Sequence, residues 1–286
     1  MSRSRNRMDA PLDIALAETI RLVICDIDGT IVRDDKSLSR ETVEAVAAAR
    51  EAGIAVTLIS ARPASGLGDL VRELGIRGAV GAFNGGTLFE AGGEVIEAHR
   101  LDPANAREAV RRLDAAGVPV WVFADGLWLA QGEDPHHGAR ERKAAAVEPT
   151  IVEDLSPWLD RADKVVGVSD DHPLLERMER EIAAALGDGA NVVRSQLYFL
   201  DVTARVANKG DGARFLAEAH GVHLSQTAAV GDMPNDIPML ERAGLGVAMG
   251  QAGEAVRAAA GFVTETNEAD GVARFLRRLV EARRGA

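Results

Sequence analysis

Two aspartates separated by one residue close a short apolar run. Residues 21–30 read RLVICDIDGT, so Asp26 and Asp28 follow LVIC and precede Gly29 and Thr30. Side chains two apart on a strand share a face. Both carboxyls therefore leave the carboxyl end of a strand towards one point, the end at which open α/β sheets hold their ligands. Gly29 lets the backbone turn there, and Thr30 adds a hydroxyl and an N–H. One carboxylate of such a pair can attack phosphorus to give an aspartyl-phosphate. The other can protonate the leaving oxygen and later deprotonate water. The plainer alternative is a solvated Asp-Gly turn after a strand.

Three further segments carry compatible chemistry. GDMPNDIPM at 231–239 follows the apolar run TAAV. Its Asp232 can join Asp26 in an octahedral oxygen site for Mg²⁺, with Asn235 and Asp236 as supports; a helix cap at Asn235 or Asp236 is the competing reading. Ser60-Ala61-Arg62 follows IAVTLIS, where a hydroxyl and backbone amides form an anion cradle or simply cap the next helix. Lys209 stands just before a helix, placed to hold phosphate and aspartate in register and to offset developing charge, unless it is an ordinary surface lysine.

The elements that must position these groups are readable from periodicity. LVICD (22–26) reads as a strand, 39–53 as a helix capped by Ser39 and ended by Gly53, 54–60 as a strand, 64–75 as a helix and 78–86 as a weaker strand. This βαβαβ order predicts a doubly wound parallel sheet, a Rossmann-like α/β core. After residue 87 the pattern changes to a hairpin around Gly92-Gly93, a helix at 103–116, strands at 118–123 and 127–130, a polar stretch at 131–150, a strand at 164–170, a helix at 173–187, and strands at 191–194 and 197–202. These predict an inserted α+β unit over 88–203 between core segments 20–87 and 204–286. The first pattern then returns, with helices at 209–221, 236–244, 253–261 and 271–284 and strands at 227–232, 245–250 and 262–264. Residues 1–19, basic and then amphipathic, read as a flexible tail; the continuous apolar segment of a secretory signal is missing from them.

Bulk properties bound the partners. The chain has 286 residues, 47% hydrophobic and 27% charged, enough for a substantial core, and only 4% aromatic, which predicts an aliphatic interior. The net charge of −11 argues against nucleic acid or an anionic membrane as partner, yet a bound cation and a few local bases can make one pocket attractive to an anion. Cys25 is the sole cysteine, so no internal disulfide forms; it reads as a buried strand residue, and a reducing, cytoplasmic setting is expected. No apolar stretch is long enough to span a bilayer. A monomer or weak homodimer is expected.

Taken together, these motifs resemble the haloacid dehalogenase superfamily, specifically Cof-type phosphatases with a large C2-type cap inserted between the second and third motifs. DIDGT matches motif one, Ser60 motif two, Lys209 motif three and GDMPND motif four, in order, from about residue 21 onwards. The resemblance implies that Asp26 is the nucleophile, that Asp28 is the general acid/base, and that Ser60 and Lys209 hold the phosphoryl group. It implies Mg²⁺ ligation by Asp26, Asp232 and Asp28 (through its backbone carbonyl), with Asn235 and Asp236 in support. It places Asn84 and Gly85 of the NGG turn, with Thr30 and Arg62, among the substrate contacts. Ala61 departs from the more frequent glycine, which is tolerable at negative φ. The expected activity is hydrolysis of a small phosphorylated metabolite, a sugar phosphate foremost. A phosphomutase or phosphotransferase of phosphomannomutase type and a non-catalytic sugar-phosphate sensor are the rivals. His136 and His137 lack a third ligand at clear spacing and read as surface loop; Trp121, Trp128 and Trp158 read as packing of the inserted unit.

Overall fold

The computed structural model describes residues 14–134, 136–145 and 147–284. Helix α1 (Ile14–Thr19) buries Ala17 and packs on the last helix of the chain. The last six residues of the expected tail are thus part of the packed structure; residues 1–13 lie outside the described residues. β1 (Leu22–Cys25) is buried throughout. Ser39 caps α2 (Arg40–Glu51) by accepting from the Thr42 N–H, and the helix lays Ala45, Val46 and Ala49 on the sheet. β2 (Ala55–Leu58) pairs parallel with β1, followed by a 3₁₀ turn at 64–66 and α3 (Gly68–Glu73).

The βαβαβ order of elements is as expected, but its third strand leaves the parallel sheet. β3 (Ala79–Ala82) meets the edge of the parallel sheet only at the bridge between Ile59 and Gly81. It pairs instead with β4 (Thr87–Glu90), which pairs with β5 (Val95–Ala98), in a separate antiparallel sheet. Phe83, Asn84 and Gly85 all take positive φ, which folds the chain back on β3 as a hairpin. The hairpin of β4 and β5, assigned from sequence to the inserted unit, therefore belongs with β3.

The insert proper builds one mixed sheet. α4 (Pro103–Ala115) precedes β6 (Val120–Ala124) and β7 (Leu127–Ala130); α5 (His137–Ala145), β8 (Pro149–Ile151), β9 (Ala162–Val168), α6 (His172–Leu186), β10 (Ala190–Gln196) and β11 (Phe199–Ala204) follow, in strand order β10-β11-β9-β6-β7-β8. α5 and β8 lie in the stretch read from sequence as irregular. HGARERKAA has no apolar stripe, but its Ala, Arg, Glu and Lys are strong helix formers, and β8 is held by parallel pairing with β7. Side chains alternate across the sheet. Val122, Leu129, Val165, Leu200 and Val202 join α4 and α6 in one cluster, with Trp158 at its margin. Trp121, Phe123, Trp128, Val166 and Phe199 belong to the cluster of the parallel core, so two of the three tryptophans pack towards the core rather than inside the insert.

α7 (Lys209–Ala219), β12 (Thr227–Gly231), α8 (Ile237–Arg242), β13 (Leu245–Ala248), α9 (Glu254–Ala259), β14 (Phe262–Val263) and α10 (Gly271–Arg284) complete the core. The five-stranded sheet runs β14-β13-β12-β1-β2, parallel throughout. From β1 the chain winds to one side through β2 and to the other through β12 and β13. β1 and β12 therefore flank the switch point at which doubly wound sheets open a ligand crevice.

Candidate active site

The carboxyl ends of β1, β2 and β12 bring Asp26, Ser60 and Asp232 to that crevice, and the first residue of α7 brings Lys209. Asn208 starts α7 by accepting from the Asp211 N–H at 3.0 Å. Lys209 is fully buried; its Nζ donates to Asp26 Oδ1 at 2.5 Å and to Asp236 Oδ1 at 2.6 Å. The other oxygen of Asp236 accepts the Asp232 and Met233 N–H groups, each at 2.9 Å. Both oxygens of Asp236 are thus occupied by donors, and one carboxylate ties the lysine to the turn that carries Asp232.

Two glycines permit this proximity. Gly29 has φ +83°, and a Cβ there would stand 2.5 Å from Asp232 Oδ2. Gly85, at φ +87°, lies so close to α7 that a Cβ would stand 2.4 Å from Gly212 Cα, which seats the Asn84 turn on the first turn of α7. Asn84 itself is buried in the left-handed region that Asn tolerates, and accepts from Asn235 Nδ2 at 3.5 Å. Ser60 is buried too; its hydroxyl oxygen accepts the Arg62 N–H at 3.2 Å.

Oxygens of Asp26, Asp232 and Asp236 all lie within 4.8 Å of one another. Burial pushes Asp26 up, Lys209 pulls it down, and the charges of Asp236 and Asp232 push it up again, to about 8. Burial and Asp236 likewise raise Asp232, to about 6, although the Thr30 hydroxyl donates to its Oδ1 at 3.1 Å. Lys209, buried between two carboxylates, is held in its charged form. Crowded, desolvated carboxylates of this kind are a hard-oxygen donor set that fits a divalent cation.

Asp28 stands apart from that cluster. Arg62 grips it with two hydrogen bonds, Nε to Oδ2 at 2.8 Å and Nη2 to Oδ1 at 2.6 Å, and Lys36 Nζ lies 2.8 Å from Oδ1. Burial opposes ionisation, but the hydrogen bonds and charge of Arg62, joined by Lys36, outweigh it and bring Asp28 to about 2. From sequence, Thr30 and Arg62 are substrate contacts; in the structure the Thr30 hydroxyl serves Asp232 and the Arg62 guanidinium serves Asp28. Lys36 carried no sequence signal, being one lysine in a polar loop. His137 is buried, with Nδ1 2.9 Å from Asp134 Oδ2 and Nε2 3.1 Å from Asp170 Oδ1. Asp170, 33 residues on, is the partner that spacing could not reveal.

An expected result follows for Arg62→Ala. The depressed value of Asp28 means that its ionised form contributes stability above about pH 4, and that this is lost as pH falls through about 2. Without the guanidinium, Asp28 protonates at higher pH. If ionised Asp28 takes the proton from water that opens a covalent intermediate, the acid limb of kcat against pH should move up by about 1–3 pH units; an unmoved limb would show that Asp28 does not govern it.

Comparison with known proteins agrees with this arrangement. Residues 23–276 match the profile of the family described as haloacid dehalogenase-like hydrolase. Pyridoxal phosphate phosphatase YbhA of Escherichia coli is 27% identical over 268 residues, covering 90% of this chain and 98% of that protein. Among solved structures, a haloacid dehalogenase-like hydrolase from Bacteroides thetaiotaomicron superposes with a TM-score of 0.81 at 28% identity, over 91% of this chain and 99% of the other. The HAD subclass IIB sugar phosphatase BT4131 gives 0.76 at 26% identity, over 90% and 98%.

Proposed function

Because the chain belongs to the haloacid dehalogenase-like hydrolases, and is a phosphatase of their Cof type, we propose that it hydrolyses a small phosphorylated metabolite, a sugar phosphate foremost, through an aspartyl-phosphate on Asp26. The observation that carries this reading is the buried Lys209 ammonium shared between Asp26 and Asp236. A free strand-end turn needs no such lysine; a nucleophile that must approach a phosphoryl dianion does.

Asp26 attacks phosphorus in line with the departing alkoxide oxygen. Lys209 offsets charge on the equatorial oxygens, and Ser60 with the amides of its turn holds them. Mg²⁺, held by Asp26, Asp232 and the Asp28 carbonyl, would supply electrostatic stabilisation of the phosphoryl oxygens when bound. Asp236, with both oxygens taken, positions Lys209 and the Asp232 turn. Asp28 in its present grip is ionised, the form that takes a proton from water and so opens the aspartyl-phosphate. To protonate the leaving alcohol it must first gain a proton, which requires Arg62 to release it. We take the cap as running from about residue 100 to 204, closing over the crevice to exclude bulk water.

Among the described residues no helix is long and apolar enough to cross a membrane, and the substrate is read as a small molecule free in water. Phosphate release across sugar phosphates, nucleotides and phosphorylated cofactors, with Mg²⁺ and with EDTA, tests the reading. Release that EDTA abolishes and Mg²⁺ restores supports it. Release untouched by EDTA overturns the metal assignment. Transfer to a sugar hydroxyl without free phosphate would favour the mutase reading.

A further inference from the structure

The head of α5 and the turn between β9 and α6 bring together metal-binding atoms that the chemistry at Asp26 does not use. A ring nitrogen of His136, one of His137 and an oxygen of Asp170 all lie within 4.8 Å of one another. Asp134 fixes the first two: its Oδ1 accepts the backbone N–H groups of His136 and His137 at 3.0 and 2.8 Å, and its Oδ2 lies 2.9 Å from His137 Nδ1. Asp170 directly precedes the residue that caps α6. Its two oxygens face the two imidazoles, Oδ1 at 3.1 Å from His137 Nε2 and Oδ2 at 3.7 Å from His136 Nε2. His137 is buried, but the side chains of His136 and Asp170 are 70% and 66% exposed, so an ion in solution can reach them.

Hydrogen bonds alone match this group poorly. A neutral imidazole carries one N–H. With that proton on Nδ1 for Asp134, His137 Nε2 turns a lone pair towards a carboxylate oxygen. A second proton on the ring would bridge that contact, yet it leaves His136 at 3.7 Å, beyond hydrogen-bond distance. A metal ion answers both. Bonds of about 2.0–2.2 Å to nitrogen and carboxylate oxygen set neighbouring ligand atoms of a tetrahedral site about 3.3–3.6 Å apart, and the observed 3.1 and 3.7 Å bracket that range. A carboxylate on the far nitrogen of a metal-binding imidazole, as Asp134 is on His137, fixes its tautomer and orientation. Two imidazoles and two carboxylates also balance the charge of a divalent ion. Nitrogen donors favour a borderline ion such as Zn²⁺, whereas the all-oxygen set around Asp26 suits Mg²⁺.

We propose that the insert carries a site for a divalent d-block ion, Zn²⁺ foremost, ligated by His136 Nε2, His137 Nε2 and Asp170, with Asp134 holding His137 in place. Three protein ligands leave a fourth position to water. The ion ties the head of α5 to the turn before α6. Because α5 packs on the 3₁₀ turn at 64–66, the same ion braces the helix that the insert lays beside the Ser60–Arg62 segment. The proposal does not depend on the reaction assigned to Asp26.

Zinc titration of the untagged, metal-free full chain in excess Mg²⁺ tests it, with Asp232→Asn as the background so that the acidic cluster at Asp26 does not compete. Calorimetry should show one Zn²⁺ per chain with a Kd in the micromolar range or tighter. Added to that background, His136→Ala and Asp170→Asn should each weaken binding at least about tenfold, and Asp134→Asn, which keeps an oxygen for the α5 N–H groups, by about 10–100-fold. His136 and Asp170 are exposed, so both changes should leave the zinc-free melting curve in place. Co²⁺ in the site should give the visible absorption of a tetrahedral ion, absent from His136→Ala. Binding weaker than micromolar, or binding that none of the three changes weakens, would overturn the proposal and leave a proton as the bridge between His137 and Asp170.

Discussion

Asp26→Asn should reduce phosphate release by at least about 10⁵-fold, the scale seen when a covalent nucleophile is removed. The loss should not come from unfolding. Lys209 keeps Asp236 as its partner at 2.6 Å, and an amide of the same shape removes one charge from three carboxylates whose oxygens lie within 4.8 Å of one another. The melting curve of the metal-free protein should therefore hold or move upward. Trapping gives a second reading: acid-quenched wild-type protein should carry acid-stable, base-labile phosphate on Asp26, and the variant none. Retained turnover in Asp26→Asn, with a normal melting curve, would assign the nucleophile elsewhere.

Lys209→Met carries the second large effect, and it differs in kind. Removing one partner of a buried ion pair leaves the other charge uncompensated, which costs about 3–5 kcal/mol. Here two carboxylates, Asp26 and Asp236, lose their shared ammonium. The sign of the pH dependence follows from burial. Without Lys209 the folded-state pKa of Asp26 rises further above its value in the unfolded chain, so the folded protein binds more protons than the unfolded one. The stability deficit should therefore grow as pH rises through about 8 and level off below that. Turnover should drop by a further ~10²–10³-fold even where the variant is folded, since a donor aimed at developing charge is gone. Chemical denaturation at two pH values and kinetics at the higher one separate the two losses. A deficit independent of pH would mean that the carboxylates are not what Lys209 neutralises.

Much of the site is legible in the sequence because its groups sit at strand ends. Asp26, Ser60 and Asp232 each follow an apolar run, and any parallel arrangement of those runs gathers them. Lys209 and Asp236 are legible as members of the same set, but their direct contact is not. What was hidden depends on tertiary choices that spacing does not encode. Arg62 and Asp28 are 34 residues apart, and nothing local says that the guanidinium prefers a carboxylate to a phosphate. The pairing of β3 with β4 turned on three consecutive positive φ angles after β3, a backbone choice that spacing does not encode. KVVGV and FLDVT read as strands, yet which face would meet the core is decided by the packing of α4 and α6 on the other side. Helix α5 was missed because its polar composition shows no stripe, and with it went the burial of His137 and Glu141.

The placement of β1 in the sheet bears on how the chain matures. Its first neighbour, β2, arrives about 30 residues later, but its second, β12, is paired through Leu22 and Thr227, about two hundred residues downstream. The insert, by contrast, is contiguous and closes its own cluster between Leu101 and Val202. During synthesis the insert can fold while β1 still presents an open parallel edge, and Asp26 has neither Lys209 nor Asp232 beside it. Pairings of such long sequence separation are slow to form and leave apolar strands open to aggregation meanwhile. The last quarter of the polypeptide thus sets both the moment at which the crevice acquires chemistry and the length of time a nascent chain spends exposed.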